Sequence, residues 1–273
     1  MKTAITLLTD FGTADYFVGA VKGAILSVNP RAVIVDITHE IPPQDIAAGA
    51  FTILAAYKTF PAGTIHVAVV DPGVGSTRRP IILSANEQFF VGPDNGLFTY
   101  IYDREPGSQV FHVTAKKYFR SDPSSTFHGR DIFAPVAAAL SNGVNPRELG
   151  PGISDAVRLP VSLEPEVLKN GDVRARIIHI DRFGNCVTNL TRDFVKPGSS
   201  LVINHKTIRQ FRNFYGENSD TSPFAIWGSA GFLEISVNGA SAAETLRVNT
   251  GETILLTQND QIQRNPFDDE FSI

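Results

Sequence analysis

The first half of the chain alternates two periods of hydrophobicity. AITLLTD, RAVIVDIT, TIHVAVVD, IILSA, QFFVG and QVFHVT are short runs rich in Val, Ile and Phe, bounded by Gly, Pro or Asp, and they read as strands. Between the first three lie YFVGAVKGAILSVNP, with Phe17, Val21, Ala24, Ile25 and Val28 on one face, and DIAAGAFTILAAYKTFP, with Ile46, Ala50, Ile53, Leu54 and Tyr57 on one face. Both have the 3.6-residue spacing of amphipathic helices. Strand, helix, strand, helix, strand predicts an α/β fold with a parallel sheet.

After Gly150 the texture changes. PGISDAVRLPVSLEPEVLKNG carries several prolines and no period, and reads as a connection into a second body. DVRARIIHID, SLVINHKTI, FLEISVNG, ETLRV and ETILLTQ then follow as short, partly alternating runs between Gly, Asn and Asp turns, which predicts an antiparallel sandwich or barrel. The expected division is residues 1–160, a linker over 161–170, and residues 171–273. The closing RNPFDDEFSI, acidic and aromatic, reads as a docked or frayed terminus.

Composition narrows the function. The 273 residues suffice for one large core or two smaller ones, and the net charge of −4, with Lys and Arg scattered, offers no stripe for a phosphate backbone. The single cysteine, Cys186, forms no internal disulfide, so a reducing cytoplasm is expected. Asp10 interrupts the opening apolar run before it reaches the length of a secretory signal, and no segment is long enough to span a membrane.

Three predicted strands run into an aspartate: Asp10, Asp36 and Asp71. In an open parallel sheet, ligands bind beyond the carboxyl ends of the strands, so these acids are expected around one site. The loop DPGVGSTRRP after Asp71 has glycines that admit close backbone approach, followed by Arg78 and Arg79. It lacks the Gly-Lys-Ser/Thr ending of a phosphate loop, and the chain has neither a G-x-G-x-x-G fingerprint after a strand nor a G-x-S-x-G elbow. His39, Glu40 and His128 lack zinc-ligand spacing, so no metal is assigned. An Asp, an Arg and a His remain as the candidate reactive set: a carboxylate accepts from Arg, His or water, and together they can orient a water for attack.

Six segments then stand out in order: TDFGTAD (Thr9 to Asp15), DITHEIP (Asp36 to Pro42), VDPGVGSTR (Val70 to Arg78), VGPDNG (Val91 to Gly96), FHGRDIF (Phe127 to Phe133) and DRFGNCVTN (Asp181 to Asn189). With GSAGFLEI from Gly228 to Ile235, they resemble the S-adenosyl-L-methionine hydroxide adenosyltransferases, hydrolytic relatives of the fluorinase and chlorinase enzymes. The resemblance covers nearly the whole chain. It implies an N-terminal α/β, Rossmann-like domain with a C-terminal antiparallel β-barrel, and cleavage of S-adenosyl-L-methionine to adenosine and L-methionine by a water-derived nucleophile at C5′. It implies no metal or organic cofactor and a homotrimer with sites between subunits, while the scattered charge and short apolar runs already argue against a nucleic-acid or membrane partner.

By motif position the resemblance puts the catalytic set on Asp71, Arg78 and His128. A hydroxide-like nucleophile at neutral pH needs local positive charge, which Arg78 and a protonated His128 would supply. It gives Asp10 the two ribose hydroxyls and places Asp15, Asp181 and Ser229 at the methionine end. Asn185, Asn238 and Gly239 fall at the adenine, with Phe127 beside the substrate and Phe183, Phe214 or Trp227 as walls. Two positions depart from the halogenases. Gly129 follows His128 where they carry a small hydroxyl residue, and Asp71 stands where the fluorinase has a tyrosine. A carboxylate there repels a halide ion by about 4 kcal/mol at about 4 Å and an effective dielectric of about 20, which favours water. The alternatives are a non-catalytic adenosine or S-adenosyl-L-methionine sensor, which has no need of Asp71, Arg78 and His128 together, and a halogenase. His39 is expected in a structured loop over the site, and Arg79 as a solvated neighbour of Arg78.

Overall fold

A computed structural model describes residues 3–218 and 220–258; the acidic, aromatic C-terminal segment lies outside them. The chain divides into two compact units, Met1–Val161 and Ser162–Ile273.

The first unit is built on strands β1 (Ala4–Thr9), β2 (Val33–Thr38), β3 (Ile65–Val69), β4 (Pro80–Ala85), β5 (Gln88–Pro93), β6 (Gln109–His112) and β7 (Gly152–Ile153), in the order β2-β1-β3-β5-β4-β6-β7. The first four in that order are mutually parallel, whereas β4, β6 and β7 pair antiparallel. The sheet is therefore mixed, not wholly parallel. β4 and β5 are joined by Asn86 and Glu87, both at positive φ, and a two-residue turn of that kind returns the chain antiparallel where a longer crossover would keep it parallel.

Helix α1 (Phe17–Val28) and α4 (Ala134–Ser141) cover the face carrying Ile5, Leu7, Ile65 and Val67. α2 (Ile46–Ala56) packs against α3 (Thr99–Arg104), an element without a sequence signal of its own. Coverage on both faces explains why β1 is buried from Ile5 to Thr9, a continuous apolar run with no alternation. The run after His128 is likewise buried throughout, from Asp131 to Leu140, so the helix it forms has no solvent-facing stripe. Asp36 is a second correction. It lies inside the edge strand β2, not at its end, and its carboxylate turns outward to Lys22 Nζ at 2.6 Å. Burial acts to raise the Asp36 pKa, but Lys22 and His39 outweigh it and hold it below the usual carboxylate value.

The second unit contains β8 (Glu166–Val167), β9 (Val173–Ile180), β10 (Cys186–Thr188), β11 (Ser200–Ile203), β12 (Lys206–Ile208), β13 (Phe211–Arg212), β14 (Phe224–Trp227), β15 (Leu233–Ser236) and β16 (Thr253–Thr257). Their order is β12-β11-β16-β9-β10-β15-β14-β13, with β8 on β9. Every pairing is antiparallel except β13 with β14. The long strand β9 joins the two halves: Val173 to Arg176 pair with β16, and Ile177 to Ile180 with β10. Inside lie Val173, Ala175, Ile177, Leu201, Ile235 and Ile254. ETLRV is not a strand. Ser241 accepts from Glu244 N at 3.1 Å and caps a short helix, α5 (Ala242–Leu246), so a local side-chain cap overrides the apolar alternation.

One buried titratable group belongs to the core of the first unit. His66 is fully buried in β3, with Nδ1 2.7 Å from Thr6 Oγ1 and Nε2 3.3 Å from Gln88 Oε1, and its ring stacks on Phe90. Gln88 Nε2 donates to the Phe60 carbonyl, so its Oε1 accepts from His66 and Thr6 donates to Nδ1. The ring is neutral, and burial pushes its pKa down to about 4. Because the unfolded chain binds this proton more readily, stability is full above about 6.5 and falls with pH down to about 4, by about 3 kcal/mol in all. Denaturant unfolding at the two ends of that window should show the loss in the native protein and a smaller one in His66→Gln. An equal loss in the variant would assign the acid sensitivity elsewhere.

Candidate active site

β1 and β3 run parallel with Thr9 opposite Val69, so the loops that leave their carboxyl ends start side by side. One carries Asp10, the other Asp71. Both residues line a cavity of about 440 Å³ together with Phe11, Phe127, His128 and Gln44. A larger open cleft of about 690 Å³, beside Tyr102, Arg147 and Arg158, contains none of the predicted site residues.

The loop after β3 folds onto the segment before α4 through a contact only glycine permits. Gly75 has φ +78°, and a Cβ there would stand 2.2 Å from the Ser125 carbonyl oxygen. That approach brings Arg78 to His128. Arg78 Nε donates to Asp71 Oδ1 at 2.9 Å and to Oδ2 at 3.0 Å, Nη2 donates to Asp71 Oδ2, and Nη2 lies 2.8 Å from His128 Nδ1. The pair is dry: the Asp71 and Arg78 side chains are 5% and 8% exposed. The Arg78 guanidinium also sits over the Phe133 ring at 5.1 Å, and its Nη1, buried, has no hydrogen-bond partner.

A guanidinium only donates, so His128 Nδ1 accepts and the neutral ring carries its proton on Nε2. Burial lowers the His128 pKa and the Arg78 charge lowers it further, outweighing the pull of Asp71 and Asp131 in the other direction. The expectation of a protonated His128 is therefore corrected. So is the simple repulsion of halide by Asp71: the forked Arg78 cancels its charge, and the set is neutral overall. A neutral, desolvated site still disfavours a bare anion, because the lost hydration has no net positive charge to replace it.

His128 begins a widened helical turn, Gly129–Phe133, that runs into α4. Buried Asp131 fastens this turn to the preceding loop by accepting from Ser124 N at 2.9 Å and from Arg130 Nε at 2.6 Å. The Arg130 guanidinium lies 5.0 Å above Phe127, whose ring meets Phe17 edge-on at 5.2 Å. Phe127 thus becomes a fixed apolar wall. Arg79 is not a free solvated residue: it pairs with buried Asp94 at 2.6 Å and with Asp155 at 2.8 Å. Asp15 is exposed in the loop before α1 and does not line the cavity. His39 is buried beside the cavity loop, with Nδ1 2.8 Å from Thr9 Oγ1.

In the second unit, Asp181 and Asn185 form one turn. Asp181 Oδ1 accepts from Phe183 N and Asn185 N, each at 2.9 Å, and Oδ2 accepts from Asn185 Nδ2 at 2.8 Å. The turn thrusts Phe183 outward, 78% exposed, and Phe214 is 61% exposed. Neither ring serves the core. Trp227 is partly buried, with the Arg192 guanidinium 4.6 Å from its ring. Ser229 sits in the turn closed by Gly231 N to the Gly228 carbonyl at 3.1 Å, and Asn238 and Gly239 form the turn bridged by Val237 and Ala240. Sequence reasoning missed Glu234. Its buried carboxyl packs on Gly228, takes a hydrogen bond from Tyr215 at 3.0 Å and has its pKa raised by burial, with Asp181 adding to the rise. The missed signal was a lone Glu in an otherwise apolar strand. Among the described residues no cluster of three or more His, Cys, Asp or Glu could hold a metal ion, and no helix is long and apolar enough to cross a membrane.

A two-unit α/β protein with a carboxylate-lined crevice at the ends of parallel strands, closed on one side by an Asp-Arg-His set, defines a class of small-molecule-binding proteins. Residues 5–150 match the SAM hydroxide adenosyltransferase N-terminal domain and residues 175–255 the C-terminal domain. The chain belongs to the SAM hydroxide adenosyltransferase family. It is 37% identical over 266 residues to an (R)-S-adenosyl-L-methionine hydrolase of Methanocaldococcus jannaschii, covering 90% of this chain and 92% of that one. A fluorinase of an Actinoplanes species is more distant, 26% identical over 93% of this chain and 97% of its own. A solved structure of an uncharacterized conserved protein from Thermotoga maritima is similar at a TM-score of 0.86 and 33% identity, over 93% of this chain and all of that one.

Since Gly75 holds the two loops in contact, Gly75→Ala should separate Arg78 from His128. Denaturant unfolding should show a loss of about 1–3 kcal/mol, the usual cost of forcing a side chain into a strained backbone. A variant as stable as the native protein would show that the loop contact does not depend on glycine.

Proposed function

We propose that the chain hydrolyses S-adenosyl-L-methionine to adenosine and L-methionine by attack of a water-derived nucleophile on C5′ of the ribose. The observation that carries this reading is the neutral Asp71-Arg78-His128 set, with its Asp71-Arg78 pair buried, on the wall of the Asp10 cavity. Water is held between an acceptor, Asp71, and a donor, His128 Nε2–H, which turns an oxygen lone pair toward C5′. As the O–C5′ bond forms, the C5′–S bond breaks and its electron pair stays on sulfur, converting the sulfonium to the neutral thioether of methionine. The attacking water loses one proton, for which the Asp71 carboxylate is the nearby acceptor. A sulfonium is already a good leaving group, so the step needs neither metal nor organic cofactor. A dry wall favours charge-cancelling attack if hydroxide character develops before the bond forms.

In this reading Asp10 takes both ribose hydroxyls, Phe127 packs beside the sugar, and Asp15, Asp181 and Ser229 hold the methionine end. Asn185, Asn238 and Gly239 meet the adenine, with Phe183 as a wall. The exposure of Phe183, and the joining of Asp181 and Asn185 in one turn, support assigning that turn to a ligand. The same reading makes residues 1–160 a Rossmann-like domain and 171–273 an antiparallel β-barrel, and it makes the assembly a cytoplasmic homotrimer whose sites are completed by a neighbouring subunit.

Turnover should require neutral His128. Because its pKa is depressed, activity should persist as pH falls through the ordinary histidine value near 6.5 and be lost only below it. Arg78→Gln should move that acid limb upward; a native limb above 6.5 would contradict the assignment. Asp71→Ala and His128→Ala should each lose about 10²- to 10⁴-fold in turnover.

The reaction itself is read from products. Turnover in ¹⁸O-water should place the label in the 5′-hydroxyl of adenosine and leave methionine unlabelled, with no 5′-halo nucleoside in excess chloride or fluoride. Unlabelled adenosine or a halogenated product would refute hydrolysis at C5′.

A further inference from the structure

The Asp10 carboxylate and the residues on either side of it are held by the segment that follows β2. Gln44 N donates to Asp10 Oδ2 at 2.8 Å. It can do so because Gln44 has φ +66°, a left-handed conformation that residues with a side chain adopt sparingly and that clusters at functional sites. The neighbouring chain enforces it. Pro42 and Pro43 precede Gln44, Asp45 N closes a turn onto the Pro42 carbonyl at 3.0 Å, and Asp45 caps α2 by accepting from Ala48 N at 2.9 Å. The residues flanking Asp10 are tied to the same segment. Thr9 Oγ1 meets His39 Nδ1 at 2.8 Å, and Gly12 N donates to the His39 carbonyl at 2.8 Å. His39 Nε2 approaches Asp36 Oδ1 to 3.2 Å without a hydrogen-bonding angle, so its firm attachment is to Thr9.

We propose that residues 36–44 form a positioning device for the Asp10 carboxylate, with Gln44 acting through its backbone N–H and His39 through Thr9. The proposal rests on the reading that Asp10 grips the ribose hydroxyls. A vicinal diol needs two acceptors at fixed spacing. A carboxylate offers about four lone-pair directions, and one amide on Oδ2 fixes its plane while leaving Oδ1 and a second direction on Oδ2 for the sugar. Selection of ribose over deoxyribose then depends on the backbone of Gln44 and not on its side chain.

The test is calorimetry of the whole protein with adenosine, 2′-deoxyadenosine and 3′-deoxyadenosine. The native protein should prefer adenosine by about tenfold or more, as expected for hydrogen bonds to a charged group. Asp10→Ala should abolish the preference. Gln44→Pro, which removes the N–H and excludes a positive φ, should abolish it too, while Gln44→Gly, which keeps both, retains it. In the Asp10→Ala background, Gln44→Pro should change nothing further, an outcome that a merely structural role would not give. Should Gln44→Pro fail to fold, Thr9→Val reports through the same ratio and should reduce it. If Asp10→Ala keeps the preference, the diol reading fails and the proposal with it. If Asp10→Ala loses the preference but Gln44→Pro and Thr9→Val keep it, or if Gln44→Pro weakens binding equally without Asp10, the positioning device alone is overturned.

Discussion

Arg78 serves two acceptors at once, and the chemistry of the crevice follows from that fork. Its Nε and Nη2 neutralise Asp71 while Nη2 also occupies His128 Nδ1. With the Nδ1 lone pair engaged, a neutral His128 has no free ring acceptor and becomes a donor through Nε2–H. Asp71 is left as the acceptor. Lysine could not take this place, because a single point charge cannot serve a carboxylate edge and an imidazole in one plane. The dryness of the pair strengthens the arrangement, since screening is weak where water is excluded.

The fold places the fork by few but specific means. Parallel pairing of β1 and β3 starts the Asp10 and Asp71 loops together, and Gly75 against Ser125 draws the second loop onto the His128 turn. Asp131, held by Arg130, Ser124 N and Arg120, fixes that turn from behind. Burial acts to raise the Asp131 pKa, but those donors outweigh it and hold it below the usual carboxylate value, so the clamp stays charged at neutral pH. Two carboxylates in one crevice thus have different duties. Asp71 has its charge cancelled by Arg78, while Asp10 takes a backbone amide from Gln44 and faces the ligand space.

Much of this was legible in the sequence where local pattern decides the outcome. The strands and first two helices of the first unit follow from period and punctuation, and Asp10 and Asp71 follow from the rule that open sheets bind at strand ends. Asp36 misled because its position depends on where β2 stops, which hydrogen bonding to β1 decides. Arg79 and Glu234 escaped for another reason: Asp94, Asp155 and Tyr215 are remote in sequence, and nothing local announces them. ETLRV followed the strand pattern until the Ser241 cap won. The state of His128 was beyond any motif, because it depends on which nitrogen Arg78 reaches.

Which ring nitrogen of His128 carries the proton decides whether it donates to the ligand space. Nitrogen-15 NMR of histidine-labelled protein at neutral pH, with His128 assigned by comparison with His128→Gln, reads the ring directly. A neutral ring with Nε2 protonated and Nδ1 bare is expected, reverting toward mixed tautomers in Arg78→Ala. An imidazolium, or a ring with its proton on Nδ1, would show that Arg78 does not make His128 a donor through Nε2.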